Sequence, residues 1–316
     1  MKERKPLVSV IIPTYNRKEK LVRLLESIFR SNFPIDNLEV IVVDDASTDG
    51  TYERIQGGFP NVRVIRNSRE LFLAGSRNVG IRNASGRYLF LIDDDNVVGE
   101  DCIKELVRVF ELDDSVGVVA PIMYYFKQPS RVWCAGIKRG KVTSLTTFIG
   151  RDEIDKGQFS ELIESEDFPN AFMVKKEVVE RIGLFDEENF VIHYDEADFG
   201  RRVKKAGYRI VCNPRAKVWH DVPLPEQLKD KTRFFHVHDS TRAYYAARNR
   251  IIFHKKHSKW WQFLFFVLTF NWLFTMYYLK VILLECRKPF SERLKITRAY
   301  LRGFLQGLKW KKLDNL

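Results

Sequence analysis

Between residues 7 and 121 the chain alternates short, β-branched-rich apolar runs with amphipathic stretches. Leu7–Ile12 is followed by Arg17–Arg30, Leu38–Val43 by Thr51–Gly57, Val62–Ile65 by Ala74–Asn83, Tyr88–Ile92 by Asp101–Leu112, and Val116–Ala120 closes the series. Apolar runs without polar alternation suit strands buried on both faces, and the intervening pattern suits helices. The alternation therefore predicts an α/β domain with a Rossmann-like, mostly parallel central sheet and helices on both faces. Such sheets bind ligands beyond the carboxyl ends of their strands.

Polar clusters stand at those ends. The first run ends in Pro13-Thr14-Tyr15-Asn16-Arg17, the second in Asp44-Asp45-Ala46-Ser47-Thr48-Asp49-Gly50-Thr51, and the fourth in Asp93-Asp94-Asp95. All three face one crevice. On an extended backbone Asp93 and Asp95 point to the same side, so two hard oxygen ligands can share one Mg2+ or Mn2+, and a cation held that way suits a diphosphate. A lone Asp triplet would read as a turn; four converging clusters read as a site. The fourth is Gly75-Ser76-Arg77-Asn78-Val79-Gly80, which opens or lines a helix where backbone N–H groups and Arg77 can meet a phosphate or ribose.

Composition bounds the remainder. A chain of 316 residues with 45% hydrophobic content can bury one large domain plus an appendage, or two domains. Cys102, Cys134, Cys212 and Cys286 lie far apart with no Cys-x-x-Cys pair, which argues against a zinc site or disulfide framework and for a reducing compartment. Met1-Lys2-Glu3-Arg4-Lys5-Pro6 precedes a strand-like run without a long apolar segment, so no secretory signal is expected.

The net charge of +12 is uneven: residues 226–316 hold 19 Lys/Arg against 6 Asp/Glu (+13), and residues 1–225 hold 34 against 35 (−1). That excess flanks the most apolar stretch of the chain, which favours an anionic membrane surface over nucleic acid.

The strand-end strings Ser9-Val10-Ile11-Ile12-Pro13-Thr14-Tyr15-Asn16-Arg17, Val42-Val43-Asp44-Asp45-Ala46-Ser47-Thr48-Asp49-Gly50-Thr51, Arg77-Asn78-Val79-Gly80 and Leu91-Ile92-Asp93-Asp94-Asp95 jointly resemble the family-2 glycosyltransferases of the GT-A fold, from Val8 to about His220. The resemblance implies that Pro13, Thr14, Asn16, Arg17 and Asp44 or Asp45 bind the nucleoside of a sugar nucleotide, with Arg77 helping to hold it. It implies that Asp93, Asp94 and Asp95 form the DxD element, Asp93 toward ribose, diphosphate or metal and Asp95 toward the metal.

The second half is similar to the family's acceptor side in Gly183-Leu184-Phe185-Asp186, His193-Tyr194-Asp195-Glu196-Ala197-Asp198-Phe199-Gly200-Arg201-Arg202 and Ala206-Gly207-Tyr208-Arg209-Ile210. Anchoring on Asp198 makes Glu196 the general base that deprotonates the acceptor hydroxyl. Many relatives have Glu-Asp where this chain has Asp195-Glu196, so Asp195 competes for that role. A first-turn acid is also favoured by the helix dipole. His220 stands where relatives complete the metal site, and an imidazole beside two Asp carboxylates suits Mn2+ better than Mg2+ alone. Trp133 and Trp219 are candidate sugar platforms, with core packing the alternative for each.

Trp261–Leu284 is apolar over 24 residues and as a helix would reach ~36 Å, enough to span a bilayer core. Arg248, Arg250, Lys255, Lys256 and Lys259 precede it, and Arg287, Lys288, Arg293, Lys295, Arg298 and Arg302 follow. One crossing would put a basic flank on the wrong side, so a re-entrant segment breaking near Asn271 or an interfacial helix is expected ahead of a single span. Leu294, Leu301, Phe304, Leu305 and Leu308 make the next helix amphipathic, docked on the protein or on a membrane. Tyr244-Tyr245-Ala246-Ala247-Arg248-Asn249-Arg250 resembles a segment of rhamnosyltransferase-like and galactofuranosyltransferase-like relatives, implying that Arg248 and Arg250 meet a polyprenyl diphosphate or lipid headgroups.

The expectation is a GT-A catalytic domain over 1–225, with a nucleotide-binding half (1–121) and an acceptor half (122–225), and a basic, helical, membrane-associated region over 226–316. Its function would be inverting, metal-dependent transfer from a nucleoside-diphosphate sugar (UDP first, then GDP or dTDP) to a hydroxyl of a lipid-linked glycan at the cytoplasmic membrane face, with copies able to associate through the C-terminal helices. A polyprenyl-phosphate monosaccharide synthase is the nearest alternative. A sugar-nucleotide nucleotidyltransferase would want a Gly-rich, Arg-containing loop where Pro13-Thr14-Tyr15-Asn16 stands, and a catalytically dead lipid- or nucleic-acid-binding scaffold would show a damaged metal or base position.

Overall fold

The computed structural model describes residues 6–311 apart from 141, 144 and 229; Met1–Lys5, read above for a signal segment, lie outside the described residues. In chain order the elements are β1 (Val8–Thr14), α1 (Lys18–Phe29), β2 (Leu38–Asp44), α2 (Thr51–Gly58), β3 (Val62–Arg66), α3 (Phe72–Asn83), β4 (Tyr88–Ile92), β5 (Asn96–Val98), α4 (Cys102–Leu112), β6 (Val116–Tyr125), β7 (Gln128–Cys134), β8 (Ile137–Arg139), β9 (Thr146–Phe148), β10 (Ile163–Glu164), β11 (Ala171–Lys175), α5 (Lys176–Ile182), α6 (Asp195–Lys205), β12 (Arg209–His220), α7 (Lys231–Phe234), α8 (Ser240–His257), α9 (Trp260–Leu268), α10 (Phe270–Lys280) and α11 (Phe290–Lys309), with a π-helical turn at Val281–Glu285.

Two compact units result. The first runs through Lys138 and adds Thr147–Glu187 and Phe199–Val222; the second comprises Arg139–Thr146, Glu188–Asp198 and the chain from Pro223 onward.

The first unit is built on one sheet in the order β10-β12-β6-β11-β4-β1-β2-β3, with β5 on β12 and β7 on β6. Strands β3, β2, β1 and β4 are mutually parallel, each joined to the next by a helix, as the alternation requires. The whole sheet is mixed rather than mostly parallel. Strand β11 runs antiparallel to both β4 and β6, and β12 is parallel to β6 but antiparallel to β5 and β10. No helix lies between β6 and β11; the chain reaches β11 through β7, β8, β9 and β10 rather than through a βαβ crossover. Both faces are covered. Val10, Ile12, Phe90 and Ile92 pack under α1 and α4, while Ile11, Ile41, Leu89 and Leu91 pack against α3, α5 and α6. On the second face Gly80 permits close approach, since a Cβ there would sit 2.3 Å from Ile11 Cγ2.

In the second unit α8 and α11 form the core with Val237, Ile251, Ile282, Ile296 and Tyr300. Gly303 lies over the Tyr244 carbonyl and Gly307 over that of Arg248, so the two helices run in the same direction at close contact. The α11 face carrying Ile296, Tyr300 and Phe304 is thereby docked on protein, while Leu301 and Leu305 remain exposed. Helices α9 and α10 are separated at Thr269 (φ −121°, ψ −83°), two residues before the break expected near Asn271. Trp260–Glu285 is long and apolar enough to cross a membrane. Its Phe266, Asn271 and Thr275 are buried, and Trp260, Leu264, Leu268, Leu273 and Met276 are each at least half exposed.

Candidate active site

In the first unit the site grows from the ends of β1 and β4. Thr14, the last residue of β1, is buried and donates from Oγ1 to Asp94 Oδ2 at 2.7 Å. The chain then turns through Asn16 in the left-handed region (φ 52°), a conformation Asn tolerates. Asn16 ties this loop to the one after β2: its N–H donates to Ser47 Oγ at 2.9 Å and its Oδ1 accepts from the Thr48 N–H at 2.8 Å. The turn delivers Arg17, whose Nη1 lies 3.0 Å from Asp94 Oδ1 and 2.9 Å from Asp95 Oδ2.

The triplet does not continue β4 in extended form. Residues 94 and 95 form a turn into β5, so alternation is lost and Asp93 parts from Asp95. Asp93 Oδ1 accepts from Nη2 of Arg77 at 2.9 Å; Arg77 itself is fully buried in the interior of α3, its guanidinium over the rings of Phe172 and Phe185. Asp95 turns the other way, its Oδ1 lying 3.3 Å from His220 Nε2. His220 ends β12, and its pairing with Asn96 of β5 fixes that proximity. Trp133 meets the His220 ring edge-on at 4.6 Å between centroids. Trp219, the preceding residue on β12, stacks on Tyr124 and donates to the Pro129 carbonyl.

Burial acts unequally on the two central carboxyls. It dominates at Asp94, raising it to about 6 against the opposing Arg17 charge and the Thr14 hydrogen bond. At Asp95 burial also pushes upward, but His220, Arg17 and Lys20 together outweigh it and hold that carboxyl at about 2. Asp95 is therefore an anion at neutral pH, as a cation ligand must be.

Asp44 and Asp45 are buried at the end of β2. Asp44 Oδ1 accepts from the Ser47 N–H and its Oδ2 faces Arg66 Nε at 3.4 Å; Asp45 Oδ1 accepts from Asn67 Nδ2 and the Leu71 N–H. Pro13 is buried on β1, next to Thr14.

Whether this donor set fits a divalent ion can be judged from its hydrogen bonds. Asn170 Nδ2 lies 3.0 Å from His220 Nε2, while Asp95 Oδ1 is buried with no hydrogen-bond partner. A hard or borderline cation that took the Nε2 lone pair in place of the Asn170 amide would also satisfy the unpartnered Asp95 Oδ1, 3.3 Å away. Among the described residues no group of three or more His, Cys, Asp or Glu side chains forms a ready cage. The Asp95–His220 pair suits an ion that takes its other ligands from a bound diphosphate and water. Asn170 escaped the sequence reading: it sits before a short apolar run with no motif of its own, and only the antiparallel placement of β11 brings it to β4.

In the second unit Asp195 and Glu196 occupy the first turn of α6. Asp195 is 2% exposed and Glu196 is half-buried, which leaves Glu196 the more accessible carboxylate. Asp198 is fully buried, with Lys256 Nζ and His257 Nε2 each 2.7 Å from its Oδ1. Arg248 Nη1 donates to the Asn189 carbonyl at 2.7 Å. Arg250 is buried, donates to the Tyr300 hydroxyl at 2.9 Å and lies over the rings of Phe274 and Tyr278.

Known proteins are similar to this chain in sequence and in fold. The model of "Glycosyl transferase family 2" matches residues 9–183. The uncharacterized protein y4gI of Sinorhizobium fredii is 27% identical over 229 residues, 68% of this chain but only 24% of that protein's length. A crystal structure of GalNAc-T7 with UDP, GalNAc and Mn2+ superposes with a TM-score of 0.58 at 18% identity, covering 88% of this chain and 59% of that one. The mannosyltransferase PcManGT from Pyrobaculum calidifontis, in complex with GDP-Man and Mn2+, superposes with a TM-score of 0.57 at 18% identity, covering 98% and 88%. The four parallel strands, the turn that carries the acidic triplet and a family match over more than half of its length agree: the chain belongs to glycosyl transferase family 2 and has the GT-A fold.

Proposed function

We propose that the protein transfers a sugar, with inversion, from a nucleoside-diphosphate sugar to a hydroxyl of a lipid-linked glycan at the cytoplasmic face of a membrane. The observation that carries this reading is the gathering of Thr14, Arg17, Asp94, Asp95 and His220 at one sheet edge. A divalent ion on Asp95 and His220 would supply neutralisation of the charge that builds on the departing diphosphate. Arg17 lies beside the same carboxylates and can turn a guanidinium to the phosphates.

On the acceptor side Glu196 takes the proton of the attacking hydroxyl. A nucleoside diphosphate leaves without protonation, so one carboxylate suffices. A single displacement from the face opposite the leaving group then inverts the anomeric carbon.

The solved neighbours carrying UDP or GDP-Man with Mn2+ support a nucleotide-sugar donor and a divalent ion. The membrane component is supported by the exposed apolar side of α9 and α10 within a segment of net charge +13 over residues 226–316. A helix with one side packed on protein and the other apolar and exposed suits the plane of an interface.

A thermal-shift panel of UDP, GDP and dTDP, each with and without Mn2+, tests the donor half. A shift of several degrees with one nucleotide only when Mn2+ is present is expected; no stabilisation by any of the three removes the main support. The stabilising nucleotide's sugars, offered with polyprenyl phosphate and with a polyprenyl-diphosphate glycan, then separate a monosaccharide synthase from a glycan-extending transferase.

A further inference from the structure

Segment 189–198, which leads into the candidate base, has a backbone that needs holding. His193 and Tyr194 both have positive φ (65° and 67°), and neither is glycine. Two successive left-handed residues persist only where neighbours over-determine them. Within the second unit those neighbours are on α8. Asn249, fully buried, donates from Nδ2 to the carbonyls of Ile192 and His193 at 2.8 and 3.3 Å. Arg248 donates to the carbonyl of Asn189, and Trp310 Nε1 donates to Asn189 Oδ1 at 2.8 Å. Past the carboxylates, Lys256 and His257 converge on the buried Asp198. Phe190 and Ala197 pack with Ile252 and Phe253 between these two sets of polar contacts.

Residues 248, 249, 252, 253, 256 and 257 repeat at the spacing of one helical face. That face grips the segment on both sides of Asp195 and Glu196. We infer that Asn249, Lys256 and His257 are positioning residues: α8 sets where the base carboxylate lies, acting through the 189–194 backbone and Asp198. This rests on the reading of Glu196 or Asp195 as base. It gives Arg248, which donates to the Asn189 carbonyl, a second assignment besides lipid phosphate. A base must lie within hydrogen-bond reach of its proton, and a displacement near 1 Å can cost on the order of 10²-fold in rate.

The protein should be compared with Asn249→Ala, Lys256→Gln and the milder Trp310→Phe, which keeps an aromatic ring and removes the hydrogen bond to Asn189. Amide exchange of peptides within 188–198 should quicken at least tenfold in the first two variants and more modestly in the third. Release of nucleoside diphosphate from the sugar nucleotide that the protein turns over should show kcat lowered at least tenfold, with donor KM within twofold. Unchanged exchange within 188–198 in all three variants overturns the inference, as does a parallel loss of kcat and donor affinity. Glu196→Gln and Asp195→Asn belong in the same series. If both keep full turnover while Asn249→Ala still quickens exchange, the base assignment fails and the α8 frame stands.

Discussion

Arg77 and Asp93 form an ion pair at 2.9 Å in which the guanidinium has no exposed surface and the carboxylate only a little. The first acid of the triplet is thus anchored from the interior of α3, leaving Asp95 to His220. Arg77→Met would leave that carboxylate without its buried partner, and Arg77→Lys would lose the planar fork; each should cost about 3 kcal/mol of stability in urea unfolding. Nucleotide binding should weaken in both, read by the thermal shift with Mn2+.

Asp95→Ala and Glu196→Gln should each lower transfer at least ~10²-fold, since one removes a cation ligand and the other the base. Only Asp95→Ala should weaken metal-dependent nucleotide binding. Titration calorimetry with Mn2+ separates them, and an equal loss in both would sink the assignment of roles.

The contact between α8 and α11 depends on absent side chains. A Cβ on Gly303 would lie 2.1 Å from the Tyr244 carbonyl oxygen and 2.8 Å from its carbon, so Gly303→Ala should destabilise the second unit by about 1–3 kcal/mol despite better helix propensity. Gly57, near the end of α2, has nothing within 4 Å of its ideal Cβ. There Ala should be neutral or stabilising by up to about 1 kcal/mol. Thermal unfolding of the two variants gives opposite signs.

Acid should weaken the second unit. Burial, with His236, Arg242 and His238 nearby, pushes His193 down to about 3, and burial beside Arg250 does the same to His254. In the unfolded chain both would protonate near 6.5, so between pH 6.5 and 3 the unfolded state binds more protons. The stability they contribute is present above 6.5 and is lost as pH falls through that window. Melting temperature should drop from pH 7 to pH 4, less steeply in His254→Gln.

The exposed side of α9 and α10 should bind lipid in plane. Leu268→Glu with Leu273→Glu places charges on that side without touching the buried Phe266, Asn271 and Thr275. Co-sedimentation with phosphatidylglycerol vesicles should fall severalfold in the double variant, and wild-type binding should weaken with salt. Equal pelleting of the two proteins would remove the membrane role from this surface.

The first four strands and their helices were legible because each buries an apolar run with its own period, a property of a few consecutive residues. The boundaries of β4, Tyr88–Ile92, coincide with the run itself. Strand β11 had no such legibility: five buried residues fix neither direction nor partner, and its antiparallel insertion between β4 and β6 is what makes the sheet mixed. The turn at Asp94 and Asp95 was misread as extended for a related reason. Its geometry is set by Thr14 and Arg17, some eighty residues earlier in the chain.

Local period by itself therefore determined the α/β architecture, and the strand-end strings, by their resemblance to a known family, pointed to the family and to the set of acidic residues available for chemistry. Tertiary structure decided which of them meet. It gave Asp93 to Arg77, Asp95 to His220 and Asp198 to Lys256 and His257, and it turned part of an apolar, basic tail inward as the helix pair α8 and α11. The reason is physical: periodicity is written in neighbours along the chain, whereas a buried charge is satisfied only by whatever partner folding brings within about 3 Å.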